Sequence, residues 1–359
     1  MSDKKLTVLF TPMEGFGHIN GCHGIAERLR DRGHRVVFAL DKKFKGRLEK
    51  YGFQEEHLIT ETSEPVGGVD PIFHMLNENY EMFKGTPKDV AQFCLSATDG
   101  RAKWTEFKQQ LEGMYENIHK RVDDWLVAEG TQPLPQESNC FLHPFSKHLN
   151  IYMYPKEMDF KEFQPLAPNW RRVDGFVRTT DETFEIPESL RGRPGKLILL
   201  SMGSLGCAIV DLMIRLTQIL GKSKHRFIVN KGPLHDKYDL PDNMWGQPFL
   251  PQTAILPLVD LVVTHGGNNT VTETFFYGKP MLVMPLFGDQ FDSAQRIQER
   301  GLGLSVSPFH CTEEELLTSV DKLVNDLELS QRMKAIGERI RKSNDKDVIA
   351  DLIENIAIN

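Results

Sequence analysis

Leu261-Val262-Val263-Thr264-His265-Gly266-Gly267-Asn268-Asn269-Thr270-Val271-Thr272-Glu273 is a short apolar run handed directly to an imidazole, two glycines and a string of amides and hydroxyls. The run has the length and β-branched content of a strand buried on both faces. The residues after the glycines read as the start of a helix. Helix-start N–H groups and the positive end of the helix dipole suit an anion, and glycines let the backbone approach it closely. No packing requirement explains that order of polar groups, and the ligand it implies is a nucleotide diphosphate. Phe249-Leu250-Pro251-Gln252 precedes the segment, and Gly278, Pro280, Pro285 and Asp289-Gln290 follow it.

Working outward, the same strand-then-helix alternation recurs. Lys5 to Thr11 is an apolar run ending in Pro12-Met13-Glu14-Gly15-Phe16-Gly17, after which Cys22, Ile25, Ala26 and Leu29 recur at helical spacing. Gly33 stops that helix, and Arg35 to Leu40 is a second buried strand ending at Asp41, which makes a βαβ unit. The stripe from Trp104 to Trp125 predicts one amphipathic helix over residues 103–128, its apolar side turned to the core. Asn150 to Tyr154 reads as a strand, and the charged, Pro-containing stretch Arg178 to Gly195 as a linker. A second alternation starts at Lys196 to Ser201, with Gly203-Ser204-Leu205-Gly206 behind it, then Phe227 to Val229, Leu261 to Val263 and Met281 to Met284. Thr312 and Glu315 have capping-box spacing and open the terminal helices. Two α/β domains are expected, residues 1–175 and 176–359, as the length of 359 residues also suggests.

Bulk composition narrows the partners. Apolar residues at 40% and charged residues at 26% are ordinary for a globular chain, so whole-chain disorder is excluded. A formal charge of -7 argues against nucleic acid or an anionic membrane as the main partner, so any phosphate must be held locally. Cys22, Cys94, Cys140, Cys207 and Cys311 are odd in number, far apart and without metal-ligand spacing, which reads as reduced thiols. Neither a signal peptide nor a run of about 18 apolar residues is present, and a cytoplasmic monomer with no membrane span is expected.

Gly15-Phe16-Gly17 with Asp41 invites a dinucleotide-binding reading, but Asn20 stands at the third glycine position and His18 at the helix entrance. An accessible imidazole there suits a general base; the plainer reading is a His on a surface turn.

Taken together, Gly17-His18, Gly203-Ser204, the Phe249 to Gln252 tetrapeptide, Thr264 to Glu273 and Asp289-Gln290 resemble the inverting UDP-glycosyltransferase family, in the form found in animals and arthropods. The resemblance covers most of the chain. It implies a GT-B fold of two facing Rossmann-like domains with the active site in the cleft, the acceptor on the N-terminal side and the UDP-sugar on the C-terminal side. By the same resemblance Phe249 stands where the family has Trp and stacks on uracil, and Gln252 presents its amide to the uracil edge. Ser204, His265, Gly267, Asn269 and Thr270 surround the two phosphates, and Glu273 accepts from the ribose hydroxyls. Asp289 and Gln290 hold the sugar, which Gln290 suggests is glucose, although Asp289 alone reads as a helix N-cap. His18 deprotonates the hydroxyl of a small lipophilic acceptor, and neither a metal nor a cofactor beyond the UDP-sugar co-substrate is called for.

One departure bears on turnover. The family carries a strand whose Asp orients the catalytic His, whereas here Lys88-Asp89-Val90-Ala91-Gln92 runs directly into Phe93-Cys94-Leu95-Ser96. The chain is roughly 70 residues short of a family member, a gap of several elements by ordinary element lengths. Asp89 and Asp99 are the nearby acids, and neither follows an apolar strand. Three readings therefore stand: an active transferase, a nucleotide-sugar-binding protein without turnover, and a dinucleotide oxidoreductase built on Gly15 and Gly17. Phe16, Phe73, Met75, Met82 and Phe83 are candidates for an acceptor pocket and equally for ordinary core.

Overall fold

The computed structural model describes residues 5–12, 16–59, 77, 84, 119–133, 146–160, 166–179 and 182–358. Two parallel sheets organise it. In the first, β1 (Thr7–Phe10), β2 (Arg35–Asp41) and β3 (Gln54–Ile59) pair in that order, with α1 (Phe16–Asp31) as the crossover from β1 to β2. Six residues of β2 are fully enclosed, as its unbroken Val36-Val37-Phe38-Ala39-Leu40 run requires of a strand covered on both faces. A separate parallel pair joins β4 (Asn150–Met153) to β5 (Trp170–Val173).

The second sheet has six strands in the order β11-β10-β9-β6-β7-β8. It starts at the centre with β6 (Leu197–Ser201) and runs through α2 (Val210–Leu220) and β7 (Arg226–Asn230) to the edge strand β8 (Met244–Gln247). The chain then returns to the other side of β6 and builds β9 (Leu261–Thr264), α3 (Asn268–Phe276), β10 (Met281–Val283), α4 (Asp289–Glu299) and β11 (Gly303–Ser305). All its pairings are parallel. The strand order reverses between β6 and β9, and ligands of such sheets bind in the crevice beyond the carboxyl ends of the two strands flanking that reversal.

Three helices close the chain: α5 (Glu313–Asn325), α6 (Leu327–Arg341) and α7 (Asp345–Ile358). The capping box is made as the spacing predicts, with Glu315 N–H donating to Thr312 Oγ1 at 3.0 Å. The last helix leaves the second sheet. Ile349 and Ala350 are buried in the same core as Ile25, Leu29, Phe38 and Leu40 of the first sheet and α1. Along the seam Arg28 Nε donates to Asp347 at 2.6 Å, Arg32 pairs with Asp347, Asp351 and Glu354, and His34 Nε2 meets Glu354 at 2.9 Å. Among the described residues no helix is long and apolar enough to cross a membrane.

The strand expectations at 5–11, 35–40, 150–154, 196–201, 227–229, 261–263 and 281–284 coincide with β1, β2, β4, β6, β7, β9 and β10. Of the helix predicted over 103–128, residues 119–128 are described and helical. Residues 88–96, Asp89, Asp99, Phe73, Met75, Met82, Phe83 and the side chain of Phe16 lie outside the described residues.

Ile349→Ala removes apolar volume from the first core and should cost about 2–4 kcal/mol. Ile356→Ala, on the same helix but 40% exposed, should cost under about 0.5 kcal/mol. Equilibrium denaturant unfolding of both variants checks this, and equal losses would mean that α7 is not docked on that core.

Candidate active site

A cleft of about 1090 Å³ opens at the reversal point. Beyond β6 it is lined by Gly203 and Ser204, beyond β9 by His265 and the first turn of α3, and from the opposite side by Gly17 and His18 of α1. Of the sequence-expected residues, His18, Ser204, Phe249, Gln252, His265, Gly267, Asn269, Thr270, Glu273 and Asp289 line this one space. Gln290 does not. Its side chain is buried and its carboxamide oxygen accepts from the N–H groups of Leu286 and Phe287 at 2.9 and 3.2 Å, so it braces the loop ahead of α4.

The N-terminus of α3 has no side-chain cap. Its first N–H groups are therefore left for a ligand, as an anion site needs. Beside it the His265 ring is packed between two glycines. A Cβ on Gly203 would come within 2.5 Å of the ring, and one on Gly267 within 2.4 Å; Gly203 also has φ of 71°, a conformation that favours glycine. The residue lines the cleft and is partly buried. Desolvation pushes the imidazole down to about 4, against a hydrogen bond to the Ser201 backbone that favours its charged form. His265 is thus a neutral hydrogen-bonding group near pH 7.

Behind the helix start lies a connected set of side chains. Ser201 Oγ donates to Gln252 Oε1 at 3.1 Å, Gln252 Nε2 donates to Glu273 Oε2 at 2.7 Å, and Arg178 Nη1 donates to Glu273 Oε1 at 2.5 Å. Arg178 and Glu273 are largely enclosed, with 16% and 6% of their side chains exposed. Arg178 and Arg47 also line the cleft. Neither arginine was signalled by the sequence, because Arg178 sits in a stretch that reads as a linker and Arg47 in a loop after β2. Glu273 therefore meets the cleft as a paired carboxylate.

Across the cleft, the Asn269 amide donates to the Gly17 carbonyl, which ties α3 to the first turn of α1. His18 is exposed and, among the described residues, makes no hydrogen bond. Asp289 is held above the ordinary carboxylate range chiefly by desolvation and also by Asp292, against a hydrogen bond from its own backbone N–H and a smaller pull from His18. Phe249 is 60% exposed at the mouth.

Residues 136–336 match the model of the family described as UDP-glucoronosyl and UDP-glucosyl transferase. The uncharacterised UDP-glucosyltransferase YojK of Bacillus subtilis (strain 168) is 30% identical over 396 positions, spanning 96% of each chain. The chain belongs to this family of UDP-sugar glycosyltransferases. It is therefore a hexosyltransferase. The NDP-glycosyltransferase YjiC of the same strain is 22% identical, over 98% of this chain and 97% of the relative. Among solved structures, the spinosyn forosaminyltransferase SpnP superposes with a TM-score of 0.66 at 18% identity, over the whole of both chains. The fold is GT-B, two Rossmann-like domains. Both of these relatives are bacterial. The alignment to YojK is 396 positions long against 359 residues here, so at least 37 of its positions have no counterpart in this chain.

Two outcomes follow for this network. Arg178→Met leaves the Glu273 charge enclosed and unpaired and should cost about 3–5 kcal/mol, and adding Glu273→Gln should restore much of it. Denaturant unfolding of the cycle reads this; additive losses would show that the pair is not coupled. For His265, the unfolded imidazole titrates near 6.5 and the folded one near 4, so the unfolded chain binds the extra proton between them. Stability should fall as pH drops from about 6.5 toward 4. His265→Gln should flatten that part of the profile in thermal melts, and an unchanged slope would contradict the assignment.

Proposed function

We propose that the protein transfers glucose from UDP-glucose to a hydroxyl of a small lipophilic acceptor with inversion, His18 acting as general base. The observation carrying this reading is the uncapped start of α3, flanked by Ser204 and the neutral His265, with His18 on the facing wall of the same cleft. The diphosphate would lie on the α3 N–H groups, assisted by Ser204, His265, Asn269 and Thr270. Phe249 would stack on uracil, which its exposure at the mouth permits. Glu273 would take the ribose hydroxyls on lone pairs left over from Arg178 and Gln252, since each carboxylate oxygen accepts more than one hydrogen bond. Asp289 would hold the sugar. Gln252 would act through Glu273, because its amide already spans Ser201 and Glu273.

In the reaction the acceptor O–H proton passes to the His18 imidazole as the acceptor oxygen attacks the anomeric carbon from the side opposite UDP. The bond from that carbon to the diphosphate oxygen breaks, and its electron pair leaves with UDP. The helix start and neutral donors stabilise the developing charge. UDP-glucose as the donor, a cytoplasmic monomer as the working form and a C-terminal donor domain beginning near residue 176 belong to the same proposal.

A second reading, binding without turnover, is favoured by the absence of a hydrogen bond to His18 among the described residues. The test is the rate of transfer from UDP-glucose to a nitrophenol and to a simple alcohol, for the wild type and His18→Ala. The proposal expects the substitution to lower turnover by about 10² to 10⁴. UDP affinity should be unchanged, and the loss should be smaller for the more acidic nitrophenol. Equal rates would remove His18 from the mechanism. A wild type that binds UDP-glucose and glycosylates neither acceptor would establish the second reading.

A further inference from the structure

Next to Asp289 the cleft continues into a second cavity of about 440 Å³, sharing Met153, Asn268 and Asp289 with the first. Its size suits the body of a small organic molecule. Two aromatic pairs wall it: Tyr152 and Trp170, with centroids 6.2 Å apart and planes at 58°, and Tyr154 and Phe160, 5.9 Å apart and nearly parallel. Three carboxylates, Asp159, Asp289 and Asp292, stand at the same walls. Asp159 accepts from the Tyr152 hydroxyl at 3.2 Å, and no lysine or arginine among the described residues lies within ion-pair distance of the three.

The nearest cations are engaged elsewhere. Arg296 lies over the Phe160 ring at 4.2 Å and donates to the Met158 and Asp159 carbonyls, and Arg172 pairs with Asp174 at 2.9 Å. At the junction of the two spaces, the Asn268 side-chain amide donates to the Met153 carbonyl at 3.2 Å, which ties α3 to β4.

Aromatic faces beside anionic groups attract an organic ammonium. The carboxylates do not converge into a metal-ligand group among the described residues. Resting on the transferase reading above, we infer that this cavity receives the acceptor and that the acceptor is an amphipathic amine: an apolar or aromatic body carrying the reactive hydroxyl and a protonated nitrogen. The ammonium faces Asp159 and Asp292, and the hydroxyl reaches back past Asp289 toward the sugar.

The test uses the full chain saturated with UDP, titrated by calorimetry with 4-(2-aminoethyl)phenol and with 4-propylphenol, which replaces the ammonium by a methyl group. The amine should bind roughly tenfold more tightly. The preference should shrink toward unity in the Asp159→Asn, Asp292→Asn double variant, whose UDP affinity in the same titration reports that it is folded. High salt should weaken the preference as well. The inference is overturned if 4-propylphenol binds as well as the amine, if neither phenol binds, or if the double variant keeps the full preference. Turnover with UDP-glucose separates the two readings. Selective binding of the amine without sugar transfer would leave the cavity assignment standing and remove the transferase reading. Transfer to 4-propylphenol with no preference for the amine would do the reverse.

Discussion

An anion bound to a protein of net negative charge needs a local positive potential, and the uncapped start of α3 supplies one from backbone dipoles. It depends on the reversal of strand order between β6 and β9, which parts the loops beyond those strands and leaves a crevice. The α3 N–H groups point there with no side chain capping them. His265 completes the arrangement. Because its ring is wedged against Gly203 and Gly267 and largely desolvated, it adds a hydrogen-bonding group without a full charge. A charged imidazole would attract a diphosphate more strongly but would be expensive to bury before the ligand arrives.

The same economy explains the network behind the helix. Beside the proposed diphosphate, an unpaired Glu273 carboxylate would repel the ligand. Arg178 cancels that charge, and Gln252, oriented by Ser201, fixes the remaining oxygen. The price is desolvation of two ions, which the close pairing offsets only while both are present. Across the cleft the contact from Asn269 to the Gly17 carbonyl fastens α3 to the helix that carries His18.

Much of this is legible in the chain, and the exceptions have physical causes. Buried parallel strands announce themselves because both faces must be apolar, so β2, β6 and β9 read as continuous Val, Leu and Ile runs. Ten of the eleven expected site residues meet in one cleft because turns beyond parallel strands converge on one end of a sheet. Gln290 escaped since a buried amide bracing a loop and an amide reaching for a ligand look alike in sequence. Arg178 escaped for the opposite reason: its stretch is charged and contains prolines, which marks a linker by composition, while its role follows from a tertiary contact 95 residues away. The pairing of Asp289 with an aromatic cavity was equally hidden, because Tyr152, Tyr154, Phe160 and Trp170 read as strand and loop residues with no periodicity between them.

The placement of α7 ties the two ends of the chain together. It inserts Ile349 and Ala350 beside Leu29 and Phe38, in the core that the first sheet shares with α1. The ion pairs of Arg28 and Arg32 along the seam are partly exposed, and each contributes little by itself. Their value is directional. They select the face of α7 that meets α1, and α1 is the helix that carries His18. The geometry of the facing wall is therefore set in part by the last fifteen residues of the chain, far in sequence from either side of the cleft.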